Sequence, residues 1–276
     1  MIQDIFPHRF DNQYLAKTKI DDEDIILHYS GSTMLFRIDR TEHELPRKKD
    51  FFSFPEEAVR IFLFSLDETP CFLVPDLKVH EPHLAYREIS LFRTMSSQET
   101  AWITIAGLHL SNWYSQNRFC GKCGTMTIHK EDERALVCPA CQNVVFPKIS
   151  PAVIVAIISN DKILLARNAN FQGNWFSLIA GYSDIGESLE ETLVREVKEE
   201  VGLEIRNIRY YQSQPWPLSG SMMIGFVAEA DENQPIIIDG REIAEAAWFK
   251  RGQLPNHASR ISIAGEMIEK FDAGLL

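Results

Sequence analysis

Positive charge is in short supply in this sequence: 28 Lys and Arg stand against 39 Asp and Glu over 276 residues, a formal net charge of −11. A broad electrostatic grip on nucleic acid needs many basic groups near phosphates, so that mode is excluded, whereas one localised basic site is not. Long apolar runs are also lacking, and the longest, residues 152–158, falls far short of the roughly 20 residues of a membrane span. The opening MIQDIFPHRF has acidic and aromatic residues where a secretion signal has a basic start and an apolar stretch. A cytoplasmic protein with no membrane partner is the expectation. There is no internal repeat and no low-complexity tract. Cysteine is sparse, five in all, yet four of them fall in two CxxC pairs. In a chain without a secretion signal that pattern favours metal over disulfides. The fifth, Cys71, precedes FLVP and reads as a small core residue.

What is present suffices for folded domains. With 45% hydrophobic residues the chain can build sizeable cores, and its length suggests two or three modules. Residues 1–115 show strand-like runs at 24–29, 34–38 and 71–74, broken by Asp, Pro and Gly. A helix follows over 97–117, with Ser97 as its cap and Ala101, Ile105, Leu108 and the Trp113 region on one side. No catalytic motif occurs there, so an α+β domain with a structural or oligomerising role is expected. Residues 116–147 form a second module around the cysteines. Residues 148–276 carry strands at 152–158, 162–166, 206–214 and 222–228, an acidic helix after Glu187 and a helical tail near 260–271, the alternation of a layered α/β domain.

Cys120-Gly-Lys-Cys123, fourteen residues, then Cys138-Pro-Ala-Cys141 puts two thiolate knuckles on neighbouring turns, which is how a closed tetrahedral zinc site is built. Gly121 and Gly124 permit the tight turns, and polar residues 129–134 suit an exposed hairpin tip. Four thiolates leave no position for water, so one zinc per chain should hold structure and not perform hydrolysis. Lys122, Lys130 and Arg134 are balanced by Glu131, Asp132 and Glu133, a poor composition for a nucleic-acid reader.

The acidic helix carries Gly181-x5-Glu187-x7-Arg195-Glu196-Val197-x-Glu199-Glu200-x-Gly202-Leu203. Measured around a helix from Leu189, Leu193 and Val197 lie at about 40° and 80°, and Glu196 and Glu200 at about −20° and 20°. Those carboxylates, with Glu199 beside them, therefore border the buried stripe instead of opposing it. Clustered carboxylates at a core edge are costly unless a cation neutralises them, and oxygen donors suit Mg²⁺ or Mn²⁺.

Every fixed position of this run fits the Nudix box, and the chain resembles the Nudix hydrolases. The resemblance implies a Nudix α/β/α sandwich with a mixed sheet, preceded by the four-cysteine zinc ribbon and an N-terminal α+β domain. It implies that Glu196, Glu199 and Glu200 hold catalytic metal, that Arg195 orients them, and that the carbonyl of Ala180 also reaches the metal. Glu187 is expected to support the loop. Glu242 is a second candidate ligand or base, equally readable as an exposed glutamate.

Ten residues beyond the box, Ser213 is followed by Gln214, Pro215, Trp216, Pro217, Leu218, Ser219, Gly220 and Ser221. The prolines fix an extended path, Trp216 offers a flat face, and Gln214 and the serines offer hydrogen bonds to a substrate. The run resembles the SQPWPFPxS array of NADH pyrophosphatases, a zinc-ribbon Nudix family also linked to removal of NAD caps from RNA. Leu218 and Ser219 depart from it, standing where that family has Phe and Pro, which could loosen selection among dinucleotides. The same resemblance points to Phe146 and Tyr182 as aromatic walls and to Glu133, Arg87 and Ala264 as further substrate contacts. It also implies a homodimer, with NADH or NAD⁺ and the NAD-capped 5′ end of RNA as partners. The competing readings are a broader hydrolase of ADP-ribose-type compounds and a nucleotide-sensing regulator.

Overall fold

The computed structural model describes the chain apart from residues 17, 18, 41, 170–172 and 239. Its contacts divide the chain into two compact units, one of Met1–Ile2, Ile149–Trp216 and Gly220–Leu276, the other of Gln3–Lys148 with Pro217–Ser219.

The unit built on Gln3–Lys148 contains strands β1 (Phe10–Asp11), β2 (Ile25–Leu27), β3 (Tyr29–Ser30), β4 (Thr33–Arg37), β5 (Ile61–Leu66), β6 (Thr69–Leu73) and β7 (Leu84–Glu88). They form a sheet of order β1-β5-β6-β2 and a second of order β3-β4-β7. Ile26, Leu35, Phe62, Phe72 and Leu84 fill the core, and Cys71 is fully buried in β6, as its apolar neighbours suggested. Helix α1 (Gln98–Gln116) is capped by Ser97, whose side chain accepts from the Thr100 amide at 3.1 Å. The expected one-sided stripe is not what forms. Eight consecutive residues, Thr100 to Gly107, are buried, so the first half of the helix is enclosed all round, and Leu108 is only half-buried. Gly107 allows a close approach: a Cβ there would lie 2.3 Å from the Tyr29 hydroxyl, which donates to the Thr104 carbonyl at 2.8 Å. Strands β8 (Ile128–His129), β9 (Leu136–Val137) and β10 (Val144–Val145) make the small antiparallel sheet of the cysteine module.

The other unit has β11 (Ser150–Ser159), β12 (Lys162–Asn168), β13 (Ile179–Tyr182), α2 (Leu189–Val201), β14 (Arg206–Trp216), β15 (Ser221–Glu229), β16 (Ile243–Lys250) and α3 (Ile263–Asp272). The sheet runs β14-β15-β11-β12-β16, with β13 also paired to β11. It is mixed, because β11 is parallel to β15 while the other pairs are antiparallel. β11 explains the longest apolar run. Val153, Val155 and Ile157 pack with Leu193 and Val197 of α2, while Ile154 and Ala156 pack with Met267, Ile268 and Phe271 of α3. A strand covered on both faces needs apolar residues at every position. The expected α/β/α sandwich follows.

Candidate active site

The acidic helix α2 starts and stops where its sequence says. Ser188 accepts from the Glu191 amide and Glu191 returns a bond to the Ser188 amide, a reciprocal capping box. Gly202 ends it with φ of +73°, the left-handed conformation that glycine adopts without steric cost. Leu193 and Val197 are buried, which leaves the Arg195, Glu196 and Glu199 side of the helix turned toward β13.

Arg195 organises this surface. Its Nε donates to Glu187 Oε1 at 2.5 Å and its Nη2 to Glu187 Oε2 at 2.9 Å, a two-point fork. Nη1 donates to Glu196 at 2.8 Å and to Glu199 at 3.1 Å, and Nη2 reaches the Tyr182 carbonyl at 3.0 Å. One planar guanidinium therefore fixes three carboxylates and the end of β13. Glu187 also accepts from the Asp184 amide at 3.1 Å and the Thr192 hydroxyl at 3.0 Å. Arg195 chiefly, together with these donors, holds the Glu187 carboxyl down at about 2. Glu187 thus braces the loop before α2. Thr192, fully buried and bonded to Glu187, is a member of this network that the sequence pattern does not reveal; no motif signal marks it, only its place one turn below Arg195.

Glu196 is held differently. Its side chain is 14% exposed, against 61% for Glu199, and Glu200 is buried. Burial pushes the Glu196 carboxyl above its ordinary range; Arg195 opposes this, and the charges of Glu199 and Glu242 add to it. Glu242 therefore belongs to the electrostatic surroundings of Glu196 although it lies outside the box. Gly181 is what lets Glu196 sit here: a Cβ on that residue would be 2.0 Å from the Glu196 carboxyl carbon. The glycine of the box is required by a close approach of carboxylate to strand and not by an unusual backbone angle. Among the described residues, the four cysteines are the one group of three or more His, Cys, Asp or Glu placed to hold a metal ion together, their sulfurs all within 4.8 Å of one another. Arg195 Nη1 draws one oxygen each of Glu196 and Glu199 to itself, so these glutamates border one surface around the guanidinium. Oxygen donors with net negative charge, one of them destabilised as an anion, fit a hard divalent cation, with Ala180 on the adjoining β13.

The 213–221 array runs from the end of β14 into β15. Gln214 has no exposed surface: its Nε2 donates to the Ile261 carbonyl at 3.0 Å and its Oε1 accepts from the Ile263 amide at 2.6 Å. Both ends of the carboxamide are engaged, so Gln214 ties β14 to the start of α3. Ser221 is likewise buried, and Ala264 packs its methyl in the core beside Met267. Pro215, Trp216, Leu218 and Gly220 are half-buried, Pro217 is buried and Ser219 exposed. Tyr182 is 51% exposed at the end of β13. In the other unit Phe146 is 54% exposed, Glu133 pairs with Lys130, and Arg87 lies on β7 with its Nη1 donating to the Tyr86 carbonyl.

The cysteine module forms a closed cradle. The Cys120 and Cys141 sulfurs are 3.6 Å apart and those of Cys123 and Cys138 3.4 Å. Zinc–sulfur bonds of roughly 2.3 Å in a tetrahedron place sulfurs about 3.8 Å apart, so the four fit a structural zinc. The Lys122 amide faces the Cys120 sulfur at 3.4 Å and the Cys141 amide that of Cys138 at 3.5 Å, the donors expected around thiolates.

Residues 148–271 match the NUDIX domain profile. The chain is 37% identical over 184 residues to a "NAD-capped RNA hydrolase NudC" of Pectobacterium carotovorum, covering 66% of this chain and 70% of that protein. The chain belongs to the Nudix hydrolase family. A protein of the same name from Stutzerimonas stutzeri is 36% identical over 206 residues, 74% of each chain. Residues 115–146 match the NADH pyrophosphatase zinc ribbon domain, which makes the four-cysteine cradle a zinc ribbon. Among Nudix enzymes this one therefore has the ribbon-bearing architecture.

Proposed function

We propose that this Nudix hydrolase uses Mg²⁺ or Mn²⁺ to cleave the pyrophosphate of NADH and NAD⁺, releasing AMP and the reduced or oxidised nicotinamide mononucleotide, and that it removes NAD caps from the 5′ ends of RNA. The observation that carries this reading is the conjunction, in one chain, of the Arg195-ordered carboxylates with the zinc ribbon and the 213–221 array. Relatives named NAD-capped RNA hydrolase support it.

Glu196, Glu199 and Glu200 would hold the cation with the Ala180 carbonyl, and Glu242 would serve as a further ligand or as base. Bound there, a divalent ion supplies charge neutralisation on the phosphoryl oxygens and lowers the pKa of water. Arg195 keeps the carboxylates in place, and Glu187 keeps Arg195 in place. One water adds across the bridge: its oxygen bonds to one phosphorus, the bond from that phosphorus to the bridging oxygen breaks, and the two protons leave with the products and solvent. No covalent enzyme intermediate is needed. Trp216 and Tyr182 would supply stacking surfaces. We further infer a homodimer acting in the cytoplasm; among the described residues no helix is long and apolar enough to cross a membrane.

The test is turnover of purified protein with Mg²⁺ or Mn²⁺ on NADH, NAD⁺, ADP-ribose and NAD-capped RNA, with products resolved by chromatography. NADH should be preferred, giving AMP and the reduced mononucleotide. Preference for ADP-ribose would replace this reading with the broader hydrolase, which Leu218 and Ser219 favour as the second choice. Tight binding without turnover would point to a sensor.

A further inference from the structure

Strand pairing sets four residues side by side across the Nudix sheet. Gln214 of β14 pairs with Met223 of β15, Met223 with Ala152 of β11, and Ala152 with Tyr182 of β13. Paired residues share a face, and this row lies on the α3 side, where Met223 and Ala180 pack against the cluster of Ala264 and Met267. Gln214 is buried at the start of α3 and Ala152 is 3% exposed, which leaves half-buried Met223 and exposed Tyr182 as the open members of the row. Trp216, paired with Ser221, is the diagonal neighbour of Met223 on the same face; such diagonals span about 7–8 Å, within reach of long side chains. Tyr182 lies two strand spacings to the other side, roughly 10 Å away. Met223 therefore stands between the two aromatic residues of the site.

A methionine at this place has a physical use. Its thioether is polarisable and its chain adapts, so it makes favourable contacts with flat aromatic rings at a sulfur-to-ring distance of about 5 Å. The sulfur is also pinned: Ser221, 2% exposed, donates its hydroxyl to Met223 Sδ at 3.8 Å. The row ends beside the carboxylates, because Glu196 lies against Gly181 and Arg195 holds the Tyr182 carbonyl at 3.0 Å. We propose that Met223 is a specificity-determining residue that meets one flat heteroaromatic base of the dinucleotide, its thioether against the ring face between Trp216 and Tyr182. The substrate is that of the pyrophosphatase reading, on which this role rests, and either base, nicotinamide or adenine, offers such a ring. Met222, the neighbour of Met223 along β15, faces the opposite side of the sheet, paired with Pro151 and Pro215, and takes no part.

Steady-state kinetics and methyl NMR on the zinc-loaded full chain test the role. Met223→Ala should raise KM for NADH by about 3- to 10-fold while kcat and the Mg²⁺ titration stay as in wild type, and Met222→Ala should change none of them. ADP-ribose, which shares the adenosine and lacks nicotinamide, separates the two bases: a KM raised for NADH alone assigns nicotinamide, and a KM raised for both assigns adenine. Among the seven methionine methyls, that of Met223 should shift upfield by ring current when nicotinamide mononucleotide or AMP is added with Mg²⁺, and that of Met222 should stay in place. This signal needs binding and no turnover, so a Met223 methyl that shifts in a chain unable to hydrolyse NADH removes the pyrophosphatase reading and keeps the contact. An unchanged KM in Met223→Ala overturns the proposal, as does an equal rise in Met222→Ala, a fall in kcat alone, or a Met223 methyl that neither mononucleotide moves. Should Met223→Ala fail to fold, Met223→Gln, similar in length and suited to a half-buried position, carries the same test, and an unchanged KM in it overturns the proposal equally.

Discussion

Gly181→Ala isolates the geometry of Glu196 from the stability of the domain. Gly181 lies in β13, paired across to Val153, with a backbone conformation that alanine adopts freely. The new methyl would lie 2.0 Å from the Glu196 carboxyl carbon and 2.2 and 2.3 Å from its oxygens. Ordinary carbon contacts are about 3.5–4.0 Å, so the carboxylate must retreat by more than about 1 Å. It is the far end of a flexible side chain, and the movement spares the core. Stability should therefore change little. A displacement of about 1 Å in a catalytic group costs on the order of 10²-fold in rate, or roughly 2.7 kcal/mol of barrier. Initial rates on NADH at saturating Mg²⁺, set beside a calorimetric Tm, give the two numbers. A variant with near-native kcat/KM would refute the reasoning, because it would mean that the position of Glu196 does not matter. A large fall in Tm would refute the separation of function from fold.

Arg195→Lys replaces a five-donor fork with a point charge that cannot reach Glu187, Glu196, Glu199 and Tyr182 together; kcat should fall by about 10–100-fold in steady-state assays, with metal titration curves shifted to higher concentration. Glu187 has its folded pKa depressed to about 2, so its contribution to stability is present above the ordinary carboxylate range and is lost as pH falls toward 2. Urea midpoints of wild type and Glu187→Gln should therefore differ at pH 6 and converge between pH 4.5 and 2. Cys138→Ser should lower stability and zinc content without changing the NADH to ADP-ribose ratio, since a structural zinc contributes on the order of 10 kcal/mol to its own module; elemental analysis and a substrate panel check both halves. Leu218→Phe with Ser219→Pro should sharpen preference for NADH over ADP-ribose, read as a ratio of kcat/KM values.

Much of the fold could be read because local signals and packing agree in the Nudix unit. The Ser188 box and Gly202 cap fix α2 within a residue of where its charges and apolar stripe begin and end. Helix α1 shows the opposite case. Its sequence suggested an apolar side, but Thr100 and Thr104 are buried as well, because the Ser97 hydroxyl and the Thr100 carbonyl satisfy their hydroxyls locally. Periodicity counts such residues as polar and so underestimates how much of a helix is enclosed. Glu242 marks a different limit. Its effect on Glu196 arises from strand β16 starting beside it, a tertiary fact that spacing along the chain does not carry.

Gln214 shows a structural task that residue type does not reveal. A glutamine between a serine and a proline, next to a tryptophan, looks like a hydrogen-bonding group offered to a ligand. In the folded chain its amide is fully enclosed and spans the Ile261 carbonyl and the Ile263 amide, at the first turn of α3. A helix start leaves amides without intrahelical partners, and Gln214 satisfies one from a neighbouring strand while Ser262 satisfies another at Gly265. Gly265 itself has no room for a side chain, since a Cβ would lie 2.1 Å from the Ser259 carbonyl oxygen. The segment before α3 is thus clamped from both sides, and β14, which leads into Trp216, is one jaw of the clamp. Specificity residues on an extended strand need such a fixed base, because a stacking surface that moves forfeits much of its selectivity. The polar residue of the array therefore acts through the backbone it holds, and Trp216 stands at the end of the strand so fixed.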